Sequence, residues 1–181
     1  MSRMGYGMVT CCAAASLAVA AFAPMPLKLV WNASASTPIG LYAIHPTGHL
    51  GVADLVVVRA PEPLAEFLAE GGYLPRKVPL MKRVAALPGQ RICRSGRAIS
   101  VDGVITAEAL DRDRLGRLLP TWQGCRMVGE GEVFLLNRQV RDSLDGRYFG
   151  PLSVNSIVGR AIPLWTDEGG DGRFRWRAAA R

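Results

Sequence analysis

A mainly β domain carried behind an N-terminal transmembrane helix is the fold class this sequence predicts, and three observations predict it. From Met4 to Leu27 there is no charged residue. Beyond that segment, short runs of branched aliphatics recur between glycines and prolines, and only one stretch has clear helical spacing. With 181 residues, about half of them hydrophobic, the chain can hold one domain with a real core plus an attached segment.

Spanning a bilayer takes about 20 apolar residues, so the run centred on Cys11 to Ala23 is long enough. Its alanine content makes it only moderately hydrophobic, and Ala21-Phe22-Ala23 has the form of a small-x-small cleavage site. A retained anchor and a removed signal peptide both fit, although Pro24 is a poor residue after a cut. Arg3 favours a cytoplasmic amino terminus, which puts the rest of the chain outside the cytoplasm. Pro24, Pro26 and Lys28 end the segment, and Trp31 sits where an interfacial aromatic is useful.

The stretch from Asn32 to Tyr42 follows at once. Pro38 and Gly40 keep its backbone extended or turned, so Ser34 and Ser36 are presented rather than packed. By composition alone it also reads as a linker. Gly51 to Arg59 is a strand stopped by Pro61 and Pro63; Leu64, Phe67 and Leu68 fall at helical spacing before Gly71-Gly72. If the run from Val78 to Gly89 is extended at its centre, Leu80, Lys82, Val84 and Ala86 share one face, and Lys82 has only apolar neighbours there. Ala98 to Thr106 is a hairpin around Asp102-Gly103, a pair suited to a type I′ turn. A solvated excursion through Glu108, Asp111, Arg112, Asp113 and Arg114 closes at Gly124-Cys125. Glu132 to Asn137 is a further strand, and Ser156 to Trp165 is a last one with a kink. Thr166 to Arg181, with Arg173, Arg175 and Arg177 interleaved with Phe174 and Trp176, reads as a loose end able to touch lipid head groups. The chain thus divides into an anchor (1–30), a catalytic domain (31–165) and a basic tail (166–181).

The formal net charge is +7, but the arginines are dispersed, so no nucleic-acid partner is expected and an anionic membrane fits as well. Cys93 and Cys125 are the candidate disulfide of the soluble domain. Zinc is a poor alternative, because neither has a CxxC partner and His45 and His49 are separated by Pro46 and Gly48; both histidines read as loop residues. No cofactor is expected.

Nucleophilic catalysis by serine needs a base, and no histidine here has a plausible acid partner. A lysine can serve if its pKa falls by roughly 3 units from about 10.4, a shift within reach of burial among apolar side chains. The face around Lys82 offers that environment, and Lys28 and Lys77 lack it. Three motifs then stand in order: Ser34-Ala-Ser36-Thr-Pro38, Lys82-Arg83 to Pro88-Gly89, and Asp142-Ser-Leu-Asp145-Gly-Arg147 to Gly150. In this order they resemble the type I signal peptidases, and the form Asn-x-Ser-x-Ser-x-Pro-x-Gly-x-Tyr is most similar to the TraF-type conjugative-transfer branch.

That resemblance implies the mainly β signal-peptidase fold, a single-pass anchor in the cytoplasmic membrane, and a catalytic face on the periplasmic side. It implies endoproteolysis of a precursor protein by a Ser/Lys dyad, the precursor being a prepilin in the conjugative branch. By the same resemblance Ser36 is the nucleophile, Lys82 the general base and Asp145 a third catalytic group. Ser34 assists the oxyanion, and Ser143 holds the lysine amine. On physical grounds a carboxylate close to Lys82 opposes the shift the base needs, so Asp145 paired with Arg147 also reads as structural. Two positions depart from the pattern: Gly146 stands where many relatives carry serine, and Gln90 where they often carry an acid. The departure at Gly146 and the basic aromatic tail leave a second reading open, a non-catalytic envelope scaffold of a conjugation or secretion machine.

Overall fold

The computed structural model describes residues 3–22 and 27–177. Ala23, Pro24 and Pro26, invoked above for a cleavage site and for the end of the apolar segment, lie outside the described residues, as do 178–181. Helix α1 spans Arg3–Phe22. Among the described residues no helix is both long and apolar enough to cross a membrane, so the transmembrane reading of this alanine-rich helix rests on the sequence.

The domain is two antiparallel sheets. Strands β1 (Leu29–Asn32), β2 (Ile39–His45), β3 (Leu55–Val58), β4 (Leu80–Ala86) and β9 (Glu132–Leu136) belong to the larger one, with β10 (Leu152–Ser153), β11 (Ile157–Asp167) and β12 (Arg175–Trp176). Their order is β1-β2-β11-β3-β4-β9-β10, and β12 pairs with β11. The smaller sheet runs β7-β6-β5-β8, from β5 (Arg91–Ser95), β6 (Ala98–Val101), β7 (Val104–Glu108) and β8 (Gly124–Met127). Valine dominates the centre because β-branched side chains fit a pleated surface buried on both faces: all four residues of β3 are buried. Helix α2 (Glu62–Glu70) carries proline in its first turn, where a missing N–H is tolerated, and buries Leu64 and Leu68.

The expected hairpin forms between β6 and β7, with positive φ at both Asp102 and Gly103. Gln90 completes the turn before β5, accepting from the Leu87 N–H and donating to Asp102. Cys93 and Cys125 are bonded across the paired strands β5 and β8. By the chain-entropy account a loop with a sequence separation of 32 contributes about 3 to 4 kcal/mol. Replacing both cysteines by serine is therefore expected to lower the unfolding free energy by about that amount, read from denaturant melts with and without reductant.

Two expectations require correction. The tail is not loose up to Trp176: β11 runs on through Thr166 and Asp167, both buried. Asp167 then accepts the backbone N–H groups of Asp171 and Gly172, turning the chain back into β12. Trp165, Phe174, Trp176 and Trp31 stack into one cluster, with Trp165 and Phe174 centroids 4.7 Å apart. Aromatic contact supplied the order that hydrophobic periodicity did not reveal. Nor is the segment between β7 and β8 simply solvated. Ala109 and Leu119 are buried against Tyr148, whose hydroxyl accepts the Leu110 N–H.

Candidate functional site

The site is assembled where the β1–β2 connection, β4 and the segment after β9 meet. Ser34 and Ser36 lie in the β1–β2 connection, as presented residues should: Ser34 is exposed and Ser36 half-buried, with their hydroxyls 3.0 Å apart. The loop is fixed from two strands and from the segment after β9. Asn32 at the end of β1 donates from Nδ2 to the carbonyls of Ser34, Thr37 and Pro38 at 2.9, 2.9 and 3.1 Å. Tyr42 on β2 donates its hydroxyl to the Pro38 carbonyl at 2.7 Å. Beyond β9, Asn137 Nδ2 donates to Thr37 Oγ1 at 3.3 Å and to the Met81 carbonyl at 3.0 Å, while its Oδ1 accepts the Arg83 N–H. Asn137 thus ties the serine loop to the strand that carries Lys82. In the sequence Asn32 stood out only as the first residue of its motif and Asn137 only as the end of a strand, because a side chain that satisfies backbone groups leaves no periodic signal.

Lys82 lies mid-strand on β4, directly opposite Val56 on β3 and between Leu80 and Val84. The predicted alternation holds this far and then breaks. A bulge between Val84 and Ala86 sends Ala85 and Ala86 together into the cluster under the small sheet. Only 5% of Lys82 is exposed. Burial pushes its ammonium down from 10.5 to about 8; the Asp145 carboxylate opposes that shift and the Arg147 guanidinium adds to it. Nζ donates to Ser143 Oγ at 2.8 Å. Among the described residues no hydrogen bond joins Lys82 to Ser36, but both line one cleft of about 540 Å³, with Ser34, Leu68, Leu80 and Ser143. A second cleft, of about 700 Å³, opens on the other side of Ser36.

Asp145 and Arg147 form a buried pair within this support. Arg147 Nε donates to Asp145 Oδ1 at 2.9 Å and Nη2 to Oδ2 at 2.8 Å. Asp145 also accepts the backbone N–H groups of Arg147 and Asn137, capping helix α3 (Gly146–Phe149). The guanidinium goes on to the carbonyls of Glu108, Asn137, Val140 and Arg141. No ion pair joins Asp145 to Lys82 among the described residues. The pair therefore shapes the segment from Asn137 to Ser143, which delivers Ser143 to the lysine.

Gly146 has a physical explanation. A Cβ there would lie 2.5 Å from the Phe134 ring and 2.8 Å from the Leu135 carbonyl. Trp122 packs edge-on against that ring and donates Nε1–H to the Gly146 carbonyl. The Phe134 ring and the Leu135 carbonyl thus occupy the space a serine side chain needs. Gly146→Ser is expected to destabilise by about 1 to 3 kcal/mol in thermal or denaturant melts, since overpacking must move backbone or ring.

No metal cluster of three or more ligating side chains exists among the described residues. His45 ends β2, exposed, rather than lying in a loop, and His49 is in the following loop.

Over residues 2–165 the sequence matches the family described as signal peptidase, peptidase S26. It is 30% identical over 146 residues to plasmid transfer protein TraF of Escherichia coli, covering 78% of this chain and 79% of that protein. It is also 30% identical over 112 residues to thylakoidal processing peptidase 1, chloroplastic, of Arabidopsis thaliana, covering 61% of this chain and 31% of that one. Signal peptidase I of Enterococcus faecalis V583 superposes with a TM-score of 0.39 at 18% identity, over 63% of this chain and 97% of that one.

Proposed function

We propose that this chain, which belongs to the signal peptidase family, peptidase S26, and to its TraF branch, is a membrane-anchored serine endopeptidase that cuts a precursor protein with Ser36 and Lys82. The observation that carries the reading is Lys82. A lysine buried on an apolar strand face, held by Ser143 and lowered to about 8, is half neutral near pH 8 and shares a cleft with a half-buried loop serine.

In the proposed reaction the neutral Lys82 amine takes the Ser36 hydroxyl proton as Oγ bonds to the scissile carbonyl carbon. The carbonyl π electrons move to oxygen. The Ser36 backbone N–H, which has no hydrogen-bond partner among the described residues, and the Ser34 hydroxyl stabilise that oxyanion. The C–N bond then breaks and the Lys82 ammonium returns its proton to the leaving amine. Water, deprotonated by Lys82, attacks the acyl ester, and Ser36 leaves with the proton. Asp145 and Arg147 act through position, holding the segment that presents Ser143.

Helix α1 anchors the chain in the cytoplasmic membrane and the catalytic domain faces the periplasm, where a disulfide such as Cys93–Cys125 persists. The precursor reaches the enzyme at the membrane surface; the plasmid transfer relative supports a role in conjugation, and the motif resemblance makes a prepilin the proposed precursor. The test is precursor processing in cells carrying Ser36→Ala or Lys82→Ala, with folding checked by disulfide state and protease resistance. Uncut precursor is expected to accumulate in both. Normal processing, or full complementation of a deletion by Ser36→Ala, would favour the scaffold reading.

A further inference from the structure

Asn32 makes more contacts to the serine loop than any other side chain there, and their directions are fixed. Its Nδ2 faces three carbonyl oxygens, all acceptors, so the amide cannot be turned the other way. Its Oδ1 therefore lies toward Ser34, where it meets the backbone N–H at 3.1 Å and Oγ at 3.0 Å. An amide oxygen only accepts, so the Ser34 hydroxyl must donate its one proton to Asn32. The 3.0 Å contact between the two serine hydroxyls then has one available donor, Ser36. The resting order is Ser36 O–H to Ser34 O–H to Asn32 Oδ1.

We infer that Asn32 is a positioning residue that sets this proton order, parking the Ser36 proton on Ser34 and away from Lys82 until substrate binds. This rests on the Ser36/Lys82 reading above. For catalysis both hydroxyls must reverse. Ser36 turns its proton to the lysine amine, and Ser34 releases Asn32 to donate to the oxyanion, while the three Nδ2 bonds keep the backbone of the loop in place. Asn32 is buried, at 7% exposure, so it acts on the substrate only through the serines.

The test uses the full-length protein in detergent with a purified precursor. Asn32→Ala is expected to lower kcat about 100-fold or more with KM changed only a few-fold, since the three Nδ2 bonds that hold the oxyanion donors of the loop, the Ser36 N–H and the Ser34 hydroxyl, in place are lost. The ascending pH limb should stay near 8, because Lys82 and Ser143 do not touch Asn32. In a Ser34→Ala background the same change should cost at least about five-fold less, as two residues acting through one hydrogen bond are non-additive. Additive effects, or a loss confined to KM, would overturn the inference. Should Asn32→Ala not fold, side-chain amide NMR of the unaltered protein decides. Both Nδ2 protons of Asn32 are expected to resist exchange with solvent, and rapid exchange of either would refute the clamp. Inactive Ser36→Ala with no effect at Asn32 would sink this inference alone; active Ser36→Ala would sink the peptidase reading itself.

Discussion

Replacing Lys82 by methionine is expected to abolish precursor cleavage and, at the same time, to make the fold more stable. The activity loss should be about 1,000-fold or more, because the amine is the only proton acceptor proposed for Ser36. The stability gain comes from the same burial that makes the lysine useful. In the fold its ammonium gives up protons near 8, and in the unfolded chain near 10.5. Below pH 8 the lysine is protonated in both states and the folded state carries the full desolvation cost. Methionine, similar in length and neutral, should raise the unfolding free energy at pH 7 by about 1 to 3 kcal/mol, less than the full shift because the Ser143 contact is lost. Between pH 8 and 10.5 the unfolded chain binds more protons than the folded one, so the stability of the unaltered protein rises and the gap to Lys82→Met closes. Denaturant melts of both proteins at pH 7 and pH 10 check this. A destabilised Lys82→Met would mean the lysine is held as a well-paired cation rather than a strained base.

The second large effect is expected at Asp145. Changing it to asparagine leaves the Arg147 guanidinium, 1% exposed, without its counter-charge. Breaking a buried pair from one side destabilises by about 3 to 5 kcal/mol. Its effect on catalysis separates two roles. Asp145 raises the Lys82 pKa through space, so removing the carboxylate should move the ascending pH limb below 8 in whatever fraction remains folded. Below 8, the residual activity per folded molecule then rises relative to the unaltered enzyme. Were Asp145 itself a proton acceptor in the reaction, activity would fall at every pH. A wild-type pH limb in Asp145→Asn would equally count against the electrostatic coupling.

How far the sequence reached depends on the kind of signal each residue leaves. Aliphatic runs marked β3 and β9, and Asp102-Gly103 marked its hairpin, because composition and turn chemistry are local; β4 was read only as the faces it would have if extended. Lys82 was legible for the same reason: alternation set it between Leu80 and Val84. The alternation failed only at Ala86, where a bulge is decided by pairing with β9 rather than by local preference. Ser36, Ser143 and Asp145 were found by the order of their motifs, since nothing in a serine or an aspartate alone distinguishes a site from a turn. Asn137 and the Phe134 ring over Gly146 were not legible, since each acts through contacts between segments far apart in sequence. Asn32 was legible only as the first residue of its motif: its contacts lie within six residues, but nothing in an asparagine alone shows which backbone groups it binds. The tail through Trp176 was misread because its order comes from Trp31 and Trp165, residues on two other strands.

The most direct measurement of the central claim is the pH dependence of kcat/KM for cleavage of a purified precursor by the full-length protein. The account predicts a rise of tenfold per pH unit at low pH, levelling near pH 8 as the Lys82 amine becomes neutral. No such activity should be seen in Ser36→Ala. A profile flat from about pH 6 to 9, or a limb near pH 8 that survives in Lys82→Met, would contradict it.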